Sequence, residues 1–572
     1  MQKRITVMSR GKTVKEKSIK ENTKNQNKKN SQFFQYETAD IFSTRLRWFI
    51  LGLIVFFVIV IRIRLLDIPL ERDEGEYAYM GQLLLKGIAP YSAAYSMKLP
   101  GTYIMYAGIM SLFGQSARGI HLGFMILNCV TLLMIFYLSR KLVNDFVGVV
   151  TSGAYAVLSL SSSVLGFAAH ATHFVVLPAI GGTVMLLSAV GRNKPHLYFL
   201  SGIVFGLAFL MKQAGLFFPL FGLSYILYQY WSSKPGYLLN TVIYKLTPFI
   251  TGVLLPFLGV TLWIYISGNF DKFWFWTVQY ALKYASQVPL PKAIDIFKEN
   301  FFSVVDGFYL LWIFSVLGFA ILMLGHKSNT NRIFIMLFAF FSFLSICPGF
   351  YFREHYFITF LPTASLSVGI FINYLCSNKI SFLKLTQIRL ISLGLFIVVV
   401  AIGTIAQKEY FFEDGPLTVG RKIYGLNPFP ESVEIAKFIK TRSNETDRVA
   451  VLGSEPQIYF YSNRRSATGY IYTYSLMESH DYALAMQKEM ASEVESSRPK
   501  FIVAVKINSS WLAHPQSEKF IFDWLNGYIP RNYTLVGVAD IISPDRTIYK
   551  WHGDASIYTV RSQNNILVFE RR

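Results

Sequence analysis

The stretch ERDEGEYAYM, residues 71–80, places four carboxylates and an arginine in its first six positions. A carboxylate held beside a reacting carbon can take the proton of a hydroxyl nucleophile. Asp73 is the first candidate for that work, with Glu74 beside it. Acids in the first turn of a helix also favour its dipole, which accounts for one or two of them and less well for a cluster. Glu76 points to another side of the same helix and reads as a solvated or substrate-contacting group. Cations recur nearby and downstream: Arg72 within the cluster, Lys98 in MKLPGT, Lys212 in MKQ and Arg353 in REHY. A lysine at a bilayer surface either extends to headgroups or serves as a point charge for a phosphate; the number of cations facing one way favours the phosphate. The plain alternatives for REHY are an Arg353–Glu354 ion pair and a helix start at His355. His170 and His173, three apart, make a weak zinc signal without a third ligand, so no metal site is expected. Glu455 in GSEP either faces the same site or caps the next helix. No nucleotide-binding loop or serine-nucleophile motif stands out.

The elements that must position these residues belong to a membrane protein. Of 572 residues, 53% are hydrophobic and 16% charged, and runs such as WFILGLIVFFVIVI (48–61) approach the roughly 20 apolar residues that cross a bilayer. Eleven spans are expected, near 46–66, 119–139, 146–166, 172–190, 197–211, 214–231, 245–267, 306–325, 332–347, 355–375 and 389–407. Lys and Arg concentrate in short cytoplasmic loops. The loops SRKLVND, GRNKPH, WSSKPGYLLNTVIYK, GHKSNTNR and CSNKISFLKLTQIR all fall inside if GTYIMYAGIMSLFG (101–114) lies in the outer interface instead of spanning. The amino terminus is then cytoplasmic and the carboxyl terminus extracytoplasmic, in a protein integral to the plasma (inner) membrane. Between Asp145 and Tyr410 the acids are Asp271, Asp295, Glu299, Asp306, Glu354 and Glu409, all in outward loops or at outward span ends. Ion-driven transporters keep acids at mid-bilayer, so the polar chemistry of this chain belongs to its outer face.

Three regions follow: a basic, unfolded cytoplasmic tail (1–45), a transmembrane domain (46–407) whose first outer loop is 67–118, and an extracytoplasmic α/β domain (408–572). The net charge of +21 owes much to ten Lys/Arg against two glutamates in residues 1–30, an anchor before a first span. Nucleic acid is therefore not expected as a partner. Cys129, Cys347 and Cys376 lie in or beside apolar spans, which gives no disulfide framework. In the third region RVAVLG, PKFIVAV and YTLVGVAD read as strands, with helices at PESVEIAKFIKTRS and EKFIFDWLNGY, so a partly parallel sheet is expected. Its Arg464, Arg465 and neighbouring tyrosines suit a sugar or headgroups.

The order DEGEYAYMGQLLLKGIAPY…MKLPGTYIMYAGIMSLFG, GLAFLMKQAGLFF, REHYFITFLPTASLSVG and GSEPQIYFYSNRRSATGYIYTYSL resembles the bacterial multi-spanning glycosyltransferases of the C-type fold, in the branch of the protein O-mannosyltransferases and the lipid A aminoarabinose transferase. That resemblance implies an inverting transfer of a sugar from a polyprenyl-phosphate donor to an acceptor (lipid, glycan or protein) on the extracytoplasmic face. It implies Asp73 as base with Glu74 as companion. Lys98, Arg72, Lys212 and Arg353 would lie around the donor phosphate, and Glu76, His173, His355 and Glu455 around sugar or acceptor. Lys98 stands in a Lys-Leu-Pro-Gly turn where the family has Lys-Pro-Pro, and His173 stands where relatives often carry glutamate. No cofactor is required by this chemistry, a divalent metal being compatible with it. A flippase of lipid-linked glycans and a non-catalytic envelope assembly protein are the readings from other classes.

Overall fold

The structure is a computed structural model in which residues 42–232, 238–324, 330–378 and 383–572 are described. Nearly all of the basic tail, and Lys234, Lys327 and Lys379 of the basic loops, lie outside the described residues.

Apolar helices stand where the eleven spans are expected: Thr44–Arg64, Ala117–Leu142, Asp145–Leu160, Ala171–Arg192, Pro195–Met211, Phe217–Ser232, Leu238–Ile266, Tyr309–Leu324, Thr330–Leu344, Leu361–Ser377 and Leu385–Ala406. Five of the described helices are individually long and apolar enough to cross a membrane: Thr44–Arg64, Ala117–Leu142, Ala171–Arg192, Leu238–Ile266 and Leu385–Ala406. The others in the series are 15 to 17 residues long. Lipid-facing positions are apolar, as Phe49, Leu53, Phe56 and Val60 on the first helix show by their exposure. Where Pro195–Met211 crosses Leu238–Ile266, Gly202 lies on the Phe249 carbonyl and Gly252 on the Phe199 carbonyl, leaving no room for a Cβ on either. Small residues at such a crossing let the backbones approach.

The helices alternate in direction. At one end of the bundle Arg47 and Arg140 pair with Asp145, Asn144 Nδ2 donates to Asn373 Oδ1 (3.1 Å) and Asn331 Nδ2 to the Leu142 carbonyl (2.8 Å). At the other end Gln407 bonds Ser161 and Ser162, and Thr102 donates to the Met211 carbonyl (2.8 Å). The Gly101–Phe113 helix starts there, against Leu210 and Met211, and ends there, where Arg118 pairs with Asp67. Both of its ends share one face of the bundle, as expected of an interfacial helix. Hydropathy alone missed a helix of the 268–305 loop: Leu290–Asp306 is amphipathic and meets Tyr309–Leu324 at 112°.

The C-terminal region builds a six-stranded sheet on that same end. With β1 Arg448–Leu452, β2 Arg465–Ser466, β3 Phe501–Lys506, β4 Tyr533–Ser543, β5 Arg546–Trp551 and β6 Asn565–Arg571, the order is β2-β1-β3-β6-β4-β5. β2, β1 and β3 run parallel, and β3–β6, β6–β4 and β4–β5 are antiparallel. The sheet is thus partly parallel, as the sequence implied, with β2, β5 and β6 beyond what its pattern showed. The carboxyl end of β1 runs into Gly453-Ser454-Glu455, and that edge meets the first loop.

Candidate active site

The Arg72–Leu85 helix begins with a reciprocal cap. Glu71 accepts from the Glu74 amide (2.9 Å), and Glu74 Oε2 accepts from the Glu71 amide (3.3 Å). Burial pushes the Glu71 carboxyl up to about 8, with Asp73 and Glu74 adding to the shift. The remaining Glu74 oxygen accepts from the Ala169 amide (2.6 Å) and lies 3.0 Å from His121 Nε2. Burial raises its carboxyl and the His121 contact more than offsets that, so Glu74 is held below its usual range. Glu74 is fully buried and does not reach the cavity described below; the companion role expected of it becomes that of a helix cap and loop anchor, because two amides and an imidazole already fill its lone pairs.

Asp73 and Glu76 converge on one lysine. Lys98 Nζ lies 2.9 Å from Asp73 Oδ1 and 2.6 Å from Glu76 Oε2. Glu76 is 2% exposed, so it is not the solvated group its helical position allowed. The lysine is placed through its backbone: Tyr91 and Tyr103 hydroxyls donate to its carbonyl (2.7 and 3.2 Å), and Gln213 Nε2 donates to the preceding Met97 carbonyl (2.6 Å). MKLP and MKQ, more than a hundred residues apart, are thereby tied together. Burial opposes charge at all three groups. Asp73 nonetheless stays well below the carboxylate range, through Lys98 first and then His170 and Arg353, while burial leaves Glu76 above it. Lys98 is held well above the usual lysine range by the two carboxylates. The Tyr472 hydroxyl donates to Asp73 Oδ1 at 3.3 Å.

A cavity of about 210 Å³ opens over this cluster, and Asp73, Glu76, Lys98, Lys212, Arg353 and His355 all line it. Lys212 and Arg353 are its cations without a carboxylate partner among the described residues. The Lys212 ammonium sits 3.8 Å above the Tyr356 ring, and Arg353 Nη2 donates to Tyr284 (3.5 Å), with no pairing to Glu354. Burial lowers the Lys212 ammonium to about 7. Asp73, His170 and His355 each offer one ligand atom within 4.8 Å of the others, room for a metal ion. The two imidazoles stack with centroids 4.2 Å apart.

Arg72, Glu455 and His173 do not line the cavity. Arg72 is buried and held by the C-terminal region. Its Nε donates to the Ser454 carbonyl (2.7 Å), Nη1 to Tyr474 (2.9 Å), and Nη2 to Asn427 Oδ1 (3.0 Å) and Glu455 Oε1 (2.9 Å). Four of its five N–H donors are spent there, which takes it out of the phosphate role expected of it. Glu455, 0% exposed, spends its other oxygen on the Ser510 hydroxyl (2.6 Å). It neither touches a ligand site nor caps a helix with its side chain; it anchors the first loop to the end of β1. Gly75 completes the junction, since a Cβ there would meet Gln457 at 2.7 Å. His173 packs on Phe124 and lines a separate apolar groove with Asn128 and Met211. The sequence reading took Tyr472 only as one of a group of tyrosines, and it missed Ser475 and Glu478 from the C-terminal region and Trp276, Tyr280 and Tyr284 from the 268–305 loop, all cavity-lining. Their one signal was aromatic density in WFWTVQYALKY and IYTYS.

Residues 98–263 match the family model of the dolichyl-phosphate-mannose-protein mannosyltransferases. Among solved structures the chain is similar to ArnT from Cupriavidus metallidurans in the apo state, at 12% identity over 92% of this chain and 98% of that one, with a TM-score of 0.57. The same protein bound to undecaprenyl phosphate matches at 13% identity over 91% and 97%, with a TM-score of 0.56. No curated protein matches. These matches give the chain, an integral membrane protein by its bundle of apolar helices, the C-type glycosyltransferase fold.

Proposed function

We propose that the protein is an inverting glycosyltransferase that moves a sugar from a polyprenyl-phosphate donor to a hydroxyl-bearing acceptor at the extracytoplasmic face of the inner membrane. The observation that carries this reading is the meeting of the Asp73 carboxylate with Lys212 and Arg353, cations without a carboxylate partner among the described residues, in one cavity at the end of the helix bundle. In the reaction the acceptor oxygen forms a bond to the anomeric carbon as the bond from that carbon to the phosphate oxygen breaks. The acceptor proton passes to Asp73, and the polyprenyl phosphate leaves with the electron pair. Lys212 and Arg353 face the phosphate and stabilise the charge that grows on it. Lys98, between Asp73 and Glu76, keeps the base ionised and oriented. Proximity and orientation in the cavity contribute the rest. The matching structure with bound undecaprenyl phosphate supports a lipid phosphate as the carrier.

Asp73→Asn tests the reading. The variant removes the proton acceptor while keeping shape, so turnover of a polyprenyl-phosphate sugar falls by about 10²-fold or more, and donor binding persists. A variant with unchanged transfer, or one whose only defect is donor binding, counts against the base role. A flippase or scaffold would be indifferent to the change.

A further inference from the structure

We propose that the cavity wall built by the C-terminal region and the 268–305 loop is a subsite for a sugar ring, with Ser475 and Glu478 as its hydrogen-bonding groups and Tyr284 and Trp276 as its apolar platform. The identity of the ring rests on the transferase reading; the existence of the subsite rests on the wall itself. Ser475 Oγ is buried, the residue being 6% exposed, and has no hydrogen-bond partner, yet the side chain lines the cavity. A buried hydroxyl without a partner costs free energy that a ligand hydroxyl would recover. Three residues on, Glu478 receives the Tyr280 hydroxyl and the Gln287 Nε2 (3.0 Å), both on Oε2. Its Oε1 accepts no hydrogen bond from the described residues, and the residue lines the same cavity. The carboxylate is thus held by two donors on one oxygen, with the second left unpaired.

The aromatic side of the wall comes from a segment with an unusual winding. Residues Phe275–Tyr280 form a π-helical turn between Phe270–Trp274 and Ala281–Ala285, a rare irregularity that recurs at functional sites. Trp276 and Tyr280 of this turn, and Tyr284 just beyond it, line the cavity. Tyr284 is braced by a stacked Tyr351 (4.7 Å, 20°) and Trp276 by Tyr95 (5.9 Å, 23°). Rigid aromatic faces beside a fixed carboxylate oxygen and a hydroxyl match a polyol with one apolar face, which is the chemistry of a pyranose or furanose. An aliphatic chain would leave Ser475 and Glu478 unpaired, and an anion would meet a carboxylate.

The ring can come from the donor or from a glycan acceptor, and one experiment separates them. The full-length protein in nanodiscs is titrated with undecaprenyl phosphate, with undecaprenyl-phosphate mannose and glucose, and with soluble methyl glycosides and short oligosaccharides. Glu478→Ala and Ser475→Ala are each expected to weaken a sugar-bearing probe by about tenfold, with the affinity for bare undecaprenyl phosphate within about twofold, which also reports an intact fold. Loss confined to the lipid-linked sugars places the donor ring there; loss confined to the soluble glycans places the acceptor there. Equal loss for bare and glycosylated lipid, or no loss for any probe, overturns the subsite. Because these are binding measurements, they stand apart from turnover: a subsite that holds while Asp73→Asn leaves transfer unchanged would sink the transferase reading alone.

Discussion

Lys98 sits between two carboxylates that differ in state, Asp73 below the carboxylate range and Glu76 above it. Such a lysine is already neutralised, which is why the phosphate falls to Lys212 and Arg353. Lys98→Met is therefore expected to lower turnover more than donor affinity, and Lys212→Met the reverse, as separate kcat and KM measurements would show. Lys212 carries a pH dependence too. Burial holds its ammonium near 7, with Asp73 opposing that shift and Lys98 and Arg353 reinforcing it. The charge is present below that value and lost above it, so affinity for a glycosyl phosphodiester, whose own charge is constant, falls by about tenfold or more between pH 6 and 8.5. In Lys212→Arg the slope should vanish, because guanidinium does not titrate there; a retained slope assigns it to another group. Asp73, His170 and His355 can hold an ion, but Lys212 and Arg353 already serve the leaving phosphate, and turnover is expected to survive dialysis against a chelator. Loss on chelation with recovery on adding manganese or zinc would move the metal into the mechanism. From the sequence the residue types of this cluster were legible. Their partners were not: Glu74 and Arg72 have the same credentials on paper as Asp73 and Lys212, and only the contacts that consume them set them aside.

The Arg72–Leu85 helix carries the base, and what fixes that helix is the loop after β1. The Arg72–Glu455 pair is buried at both ends, and removing one partner leaves an uncompensated charge at a cost of about 3–5 kcal/mol. Glu455→Ala is expected to lower the melting temperature and to reduce turnover while leaving Asp73 chemically intact. Arg72→Met/Glu455→Met should recover part of the stability, the deviation from additivity measuring the pair. Two single variants whose effects simply add would show the contact to be unimportant. The helix itself was legible from the acids of its first turn, though not its reciprocal cap. So were β1, β3 and β4, from apolar runs bounded by polar residues. β5 and β6 escaped because RTIYKW and NILVFER mix polar and apolar residues and gain their strand character from antiparallel neighbours.

Across the whole molecule, alternation of the helices brings the loops 67–118, 166–173, 211–215, 268–305 and 348–356 to the end that carries the sheet. The charge rule puts that end outside. A cysteine replacing Leu512, which is 50% exposed on the sheet domain, in a chain with Cys129, Cys347 and Cys376 changed to alanine, should react with a membrane-impermeant maleimide in intact spheroplasts. Protection until the membrane is broken would invert the orientation and with it the cellular side of the chemistry.

The positions of the apolar helices and the concentration of acids and cations at one end of the bundle were legible in the sequence, because hydropathy and charge act locally and repeat along the chain. Which charged groups remain free was decided by tertiary structure. Arg72 and Glu455 are separated by 383 residues, and no local pattern ties them. Closure of the C-terminal sheet over the first loop satisfies those two groups and leaves Asp73, Lys212 and Arg353 to the cavity, since a buried charge goes to whichever partner the packed chain brings within reach.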